Sequence, residues 1–208
     1  MKAIAKPTQA VESKILASIK QRGRGAVFLP TDFLDFGSRE AIDIALHRLH
    51  RKKIIRRLAR GLYDYPREHL VLGLLSPSAE TVAQALAGRD GTRLQPAGAY
   101  AANLLGLSDQ VPAKTVFLTD GASRTVNIGT MTIQLRRTTA RKMATAGRLS
   151  GLIIQALREI GKDHMTAAQC KQLKRRLPAA ERRQLLKDLR YAPAWMHPIF
   201  RDLAANAS

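Results

Sequence analysis

The chain predicts an α+β fold, on three patterns. Apolar residues recur at helical spacing between residues 9 and 52. Short β-prone runs broken by glycine turns follow at 54–66 and again at 115–137, and helical spacing returns from Leu149 onward. The expected organisation is an N-terminal domain over residues 1–70 and a C-terminal domain over 71–208. The second divides into a mixed α+β part with a small antiparallel sheet at 71–148 and a helical part at 149–208.

In the first domain, Val11, Ile15, Leu16 and Ile19 share one face of a helix over 9–21, which the glycines of QRGRGAVF end. VFLP is a short extended piece, and Pro30 with Thr31 and Asp32 opens a second short helix, TDFLDF. Residues 38–52, SREAIDIALHRLHRK, carry the strongest helical pattern. Ile42, Ala45, Leu46 and Leu49 lie on one side, leaving Arg39, Glu40, Asp43, His47 and Arg51 around the outside. The runs IIRRL and GLYDYP then form a hairpin turned at a glycine. Helix, short helix, longer helix and hairpin is the order of a winged helix-turn-helix, in which an exposed helix enters the major groove and a β-wing follows the backbone.

Beyond it, HLVLGLLSP is an apolar stretch expected to link the domains, followed by short helices at 78–87 and 98–105. TVFLTDG, RTVNIG and TMTIQLRR are three strands separated by Asp-Gly and Gly-Thr turns, which predicts the small antiparallel sheet. The remainder, from LSGLIIQALREIG through TAAQCKQLKRRL and PAAERRQLLKDLRY to APAWMHPIFRDLA, is helical, with Thr166, Pro178 and Pro193 as boundary signals.

Charge narrows the function. Among 208 residues there are 35 Lys and Arg against 16 Asp and Glu, a formal net charge of +19 and a pI near 11.0. Fifteen basic and seven acidic residues fall in 1–75, eight and four in 76–145, and twelve and five in 146–208. The bases therefore decorate folded surfaces at both ends rather than a tail, and their field recruits a polyanion. No apolar run approaches the roughly 20 residues that span a bilayer, so no membrane partner is expected. The start MKAIAKPTQAVESK lacks the apolar core of a secretory signal, and the single cysteine, Cys170, excludes an internal disulfide. A cytoplasmic location follows as the expectation.

Catalytic constellations are missing from the pattern. Neither G-x-x-x-x-G-K-[ST] nor G-x-G-x-x-G occurs, so the phosphate cradles of nucleotide hydrolysis and dinucleotide chemistry are lacking. His47 and His50 stand three apart on a basic helix with no cysteine nearby, which suits surface groups better than zinc ligands. Cys170 fits a small core residue, and Asp120 in a T-D-G turn fits local hydrogen bonding. No enzymatic activity, cofactor or metal is expected. Aromatic residues make up 5% of the chain, too few for the stacking platforms of single-strand binders. Tyr63 and Tyr65 fall on one strand face and are expected to pack on the helices, so duplex DNA is the better polyanion.

The run VFLPTDFLDFGSREAIDIALHRLHRKKIIRRLARGLYDYP, from Val27 to Pro66, resembles the N-terminal winged helix of AbiEi-type antitoxins and related regulators of abortive-infection operons. Its most specific part is I-x-R-L-x-R-G-L-Y-x-Y-P, and PAGAYAANLLGLSDQVPAKTVFLTDG, Pro96 to Gly121, resembles the start of the second domain in that family. The resemblance implies an antitoxin of a type IV toxin-antitoxin system. Such a protein recognises repeats in its own promoter, represses its operon, and counteracts a nucleotidyltransferase-like toxin without a direct complex being implied. A monomer or weak dimer is expected.

The candidate DNA-binding residues are Ser38, Arg39, Asp43, His47, Arg51, Lys52, Lys53, Arg56, Arg57 and Arg60. Ser38 and Arg39 begin the helix, where backbone amides favour phosphate. Arg39, Asp43 and His47 are placed to meet base edges, and the other six to neutralise phosphate. A basic RNA-binding or toxin-binding interaction protein without operator specificity is the alternative, and a nuclease a third reading.

Overall fold

A computed structural model of the chain describes residues 7–88 and 91–205, the side chains of Pro7 and Thr8 excepted. It divides into two units, Met1–Asp90 and Gly91–Ser208, a boundary later than the expected one at residue 70.

The first unit begins with α1 (Pro7–Arg22), β1 (Val27–Phe28), a 3₁₀ helix (Pro30–Phe36) and α2 (Arg39–Arg51). It continues with β2 (Arg56–Ala59), β3 (Leu62–Asp64), β4 (Arg67–His69), β5 (Gly73–Leu75) and α3 (Ala79–Ala87). The stripe expected on α1 and α2 is the core. Ile15, Ile19, Ile42, Ala45, Leu46 and Leu49 are fully buried, joined by Phe28, Phe33 and Ile55. Phe28 meets Phe33 edge-on, ring centroids 5.5 Å apart, which fastens β1 to the 3₁₀ helix. Tyr63 and Tyr65 pack against the same cluster, as their alternation requires.

The hairpin β2–β3 accepts β1 as a third strand, in the order β1-β3-β2, both ladders antiparallel. The stretch HLVLGLLSP is not a link. It forms a second hairpin, β4–β5, whose register pairs His69 with Gly73 and leaves Leu70, Val71 and Leu72 exposed at the tip. An unbroken apolar run without alternation conceals the turn. What holds it is His69, whose Nδ1 accepts the amides of Val71 and Leu72 at 3.2 and 3.3 Å.

The second unit comprises β6 (Leu94–Ala97), α4 (Ala99–Leu104), β7 (Lys114–Thr119), β8 (Arg124–Ile128), β9 (Met131–Arg137), α5 (Ala140–Met143), α6 (Leu149–Ile160), α7 (Ala167–Arg176), α8 (Ala179–Asp188) and α9 (His197–Ala204). Its sheet runs β6-β7-β9-β8. The expected antiparallel pairing is met in both outer ladders, but the central pair, β7 with β9, is parallel. Burial explains the order. Ile133 and Leu135 of β9 are buried and belong in the middle, whereas β8 exposes Arg124, Thr125 and Asn127 and suits an edge.

Against this sheet and α4 packs α6, and Ile153, Ala156 and Leu157 share a core with Ala101, Leu173, Leu185, Met196, Phe200 and Leu203. Met196 is thus a core plug, with Trp195 partly buried beside it. No helix among the described residues is long and apolar enough to cross a membrane.

Gly151 shows how closely α6 is seated. A Cβ there would overlap the Thr145 carbonyl and come within 2.5 Å of Gln95 Oε1. Gly151→Ala is expected to destabilise the second unit by about 1–3 kcal/mol, the usual cost of overpacking. Thermal unfolding checks it, and an unchanged midpoint would mean that α6 lies farther from the Thr145 turn.

Candidate nucleic-acid interface

The outer surface of α2 is built from its first residue. Ser38 caps the helix, its hydroxyl accepting the Ala41 amide at 3.3 Å. Glu40 follows, its carboxyl held below the usual carboxylate range by hydrogen bonds from its own backbone amide first and from Ser38 second. The helix N-terminus, expected to favour phosphate, therefore already carries a carboxylate. Ser38 is a cap first.

Arg39, Asp43, His47 and Arg51 step every fourth residue along one exposed ridge of α2. Arg39 Nε donates to Asp43 Oδ2 at 2.9 Å, each side chain 51% exposed. A pair that exposed contributes little to stability, so it parts easily for a ligand that offers both groups better partners. His47 and Arg51 have no side-chain partner among the described residues. One residue was missed from the sequence: Ile44, 45% exposed, lies on the outer side of α2. Its signal was present, because it falls outside the buried set of Ile42, Ala45, Leu46 and Leu49.

At the far end α2 closes with a left-handed residue. Lys53 N–H donates to the His50 carbonyl at 2.9 Å and Ile54 N–H to that of Leu49 at 3.0 Å, with Lys53 at φ 57°. This is the position helices usually give to glycine. A lysine held there costs backbone strain, which is tolerated where the side chain is wanted. Lys53→Gly is accordingly expected to stabilise the first unit by up to about 1 kcal/mol, the left-handed strain relieved less the added freedom of glycine in the unfolded chain, while weakening binding to duplex DNA. Unfolding midpoints and DNA titrations on the same variant check both signs, and tighter DNA binding would remove Lys53 from the contact surface.

Of the other expected phosphate contacts, Lys52 forms an ion pair with Glu12 on α1, which also lies 3.9 Å from Arg48. Arg57 and Arg60 are exposed and free of ion pairs among the described residues. Arg60 sits with Gly61 in the two-residue turn of the β2–β3 hairpin, where Gly61 takes φ 70°.

Arg56 is a correction. Its Nε donates to Asp64 Oδ1 at 3.1 Å, and its Nη2 to Asp64 Oδ2 at 2.6 Å and the Leu75 carbonyl at 2.8 Å. Asp64 is 1% exposed and stands opposite Arg56 in the ladder. Asp64's hydrogen bonds raise the guanidinium pKa further, so Arg56 is an internal tie from β2 through β3 to β5 and not a phosphate contact. The sequence carries a sign of this. An acid inside the apolar run GLYDYP needs a cation opposite it once the strand is buried.

Asp120 accepts the Arg93 amide at 2.9 Å and Arg93 Nε at 2.8 Å, and these bonds lower its pKa. Cys170, expected in the core, is only partly buried and stands outside the core cluster; burial, followed by the charge of Asp202, pushes its thiol up and away from nucleophilic use. No group of three or more potential metal ligands exists among the described residues.

The profile of a family described as "Family of unknown function (DUF6088)" matches residues 14–185. The crystal structure of the RV2827C protein from Mycobacterium tuberculosis is similar to the chain at 15% sequence identity and a TM-score of 0.44, over 100% of this chain and 85% of that one. No curated protein matches the chain.

Proposed function

The chain belongs to the DUF6088 family, whose function is unknown, and we propose that it is a sequence-specific duplex-DNA-binding regulator acting through an N-terminal winged helix. The observation that carries this reading is a set of exposed polar and basic side chains on α2, its cap and the hairpin that follows it. The ridge Arg39, Asp43, His47 and Arg51 lies along α2, Lys53 at its left-handed cap, and Arg57 and Arg60 on the hairpin.

In this reading α2 lies in the major groove. The Arg39–Asp43 pair opens there, Arg39 meeting guanine and Asp43 the amino group of cytosine, each good pairing worth roughly 1–3 kcal/mol of discrimination. Ile44 supplies apolar contact to a thymine methyl, and His47 stands one helical step further along the groove. Arg51, Lys53, Arg57 and Arg60 neutralise phosphate. Lys52, engaged by Glu12, contributes less, and Arg56 supports the hairpin from behind.

The resemblance of Val27–Pro66 and Pro96–Gly121 extends the proposal to the biology. The duplex is a set of repeats in the protein's own promoter, and the role is that of a cytoplasmic antitoxin opposing a nucleotidyltransferase-like toxin. No catalytic role is proposed.

Titration of the protein with the duplex upstream of its own gene and with a random duplex tests this. The upstream duplex is expected to bind more tightly, and Arg39→Ala to reduce that preference by about tenfold or more while changing random-duplex affinity little. Equal binding of both duplexes by the unmodified protein would overturn operator recognition.

A further inference from the structure

We propose that the second unit holds a binding site for a nucleoside polyphosphate, independent of the DNA reading of the first unit. Two cavities of about 280 and 370 Å³ share Lys142, Gln155 and Arg158 as lining residues. Together they have the size of a small-molecule site.

The site draws its charge from three elements. The end of β9 supplies Arg136 and Arg137 to the larger cavity, α5 supplies Arg141 to the smaller and Lys142 to both, and α6 supplies Arg158 to both. None of these five cations has an ion-pair partner among the described residues, and Glu159 is the single acid in the lining. Outside the site three cations of this unit are ion-paired among the described residues, Arg93 with Asp120, Arg148 with Asp188 and Lys174 with Asp202, and others are not, so what marks these five is their convergence on one cleft. Cations gathered without counter-ions repel one another, and an anion relieves that repulsion. Each phosphate brings roughly one to two negative charges and suits the forked donors of arginine, so two or three linked phosphates balance the lining.

Gln155 is the second, independent observation. It is 8% exposed and lines both cavities, yet its side-chain amide has no hydrogen-bond partner among the described residues. Asp188 and Thr119 are satisfied within the protein, and the sealed polar atoms of this unit that lack a partner among the described residues are Gln95 Oε1 and Arg182 Nε; the Gln155 amide differs from these in staying open to the cleft. A carboxamide kept unpaired in the wall of a basic cleft offers a donor and an acceptor to a neutral polar group. A bare phosphate has no use for both, whereas a sugar or a base edge does.

The smaller cavity supplies the place for a base. Ile154, Tyr191, Ala192 and Pro193 give it an apolar wall, and Arg190 lies 4.9 Å from the centroid of the Tyr191 ring, covering it. The division of labour is then phosphates in the larger cavity, base in the smaller, and Gln155 between them.

Calorimetric titration of the full chain with ATP, GTP, CTP and UTP tests the site, with tripolyphosphate and the parent nucleosides as partial ligands. At least one nucleotide is expected to bind once per chain, at least about tenfold more tightly than tripolyphosphate or its own nucleoside. Arg136→Ala combined with Arg158→Ala should weaken nucleotide and tripolyphosphate alike by about tenfold or more. Gln155→Leu should bring nucleotide affinity down to that of tripolyphosphate and leave the latter unchanged. The arginine pair is exposed, so that arm stands even where Gln155→Leu fails to fold. A short RNA bearing a 5′-triphosphate, used as competitor, distinguishes a strand end from a free nucleotide as the source, and competition in either order upholds the site. Three results would overturn it: no saturable binding of any nucleotide, tripolyphosphate binding as tightly as the nucleotides, or an arginine-pair variant that loses duplex DNA affinity as much as nucleotide affinity. The last would make the cleft a stretch of general polyanion track.

Discussion

Arg56→Ala is expected to destabilise the first unit by about 3 kcal/mol, whereas Arg60→Ala, four residues along the same hairpin, should change stability by no more than about 0.5 kcal/mol. The difference rests on the partner left behind. Asp64 is 1% exposed and takes its charged hydrogen bonds from Arg56, which also holds the Leu75 carbonyl. Without the guanidinium, the carboxylate stays buried and unpaired and β5 loses its tie to β2. Arg56 is itself part-exposed, which keeps the loss at the low end of what breaking a buried pair costs. Denaturant unfolding of the two variants side by side measures it. Equal stabilities would return Arg56 to the list of free surface cations.

The second large effect lies in binding. Replacing Arg51, Lys53, Arg57 and Arg60 together by alanine is expected to lower duplex DNA affinity on the order of a thousandfold at about 0.1 M salt, since about four phosphate contacts are lost. The fold should survive, because all four side chains are exposed and none holds an ion pair among the described residues. A variant that is folded and binds DNA as before would place the DNA surface elsewhere on this basic chain.

These two predictions also mark what was legible in the sequence. Helical spacing located α1, α2 and the core residues of both, because burial of one face imposes that period directly. The hairpin around Gly61 was legible from its turn. Partnerships between distant residues were not. Arg56 and Arg60 look alike in a basic run, and only the ladder that sets Arg56 opposite Asp64 separates them. Glu12 meets Lys52 across 40 positions, a pairing that no local pattern encodes. Strand order in the second unit depended likewise on which of β8 and β9 carries a buried face, Ile133 and Leu135 of β9 against the exposed Arg124, Thr125 and Asn127 of β8. The basic cleft was invisible for the same reason: its cations come from β9, α5 and α6, and Gln155 reads in sequence as one more polar residue on a helix. Lys53 shows the reverse case, a local strain that composition scarcely hints at and backbone geometry makes plain.

The salt dependence of binding to the upstream duplex tests the central claim most directly. With Arg56 withdrawn to the interior and Lys52 engaged by Glu12, about four cations remain to displace counterions, so log affinity plotted against log salt should fall with a slope of about −4. The slope should flatten by about one unit for each of Arg51, Lys53, Arg57 and Arg60 replaced by alanine. An affinity indifferent to salt, or a slope that none of these replacements alters, would contradict the account.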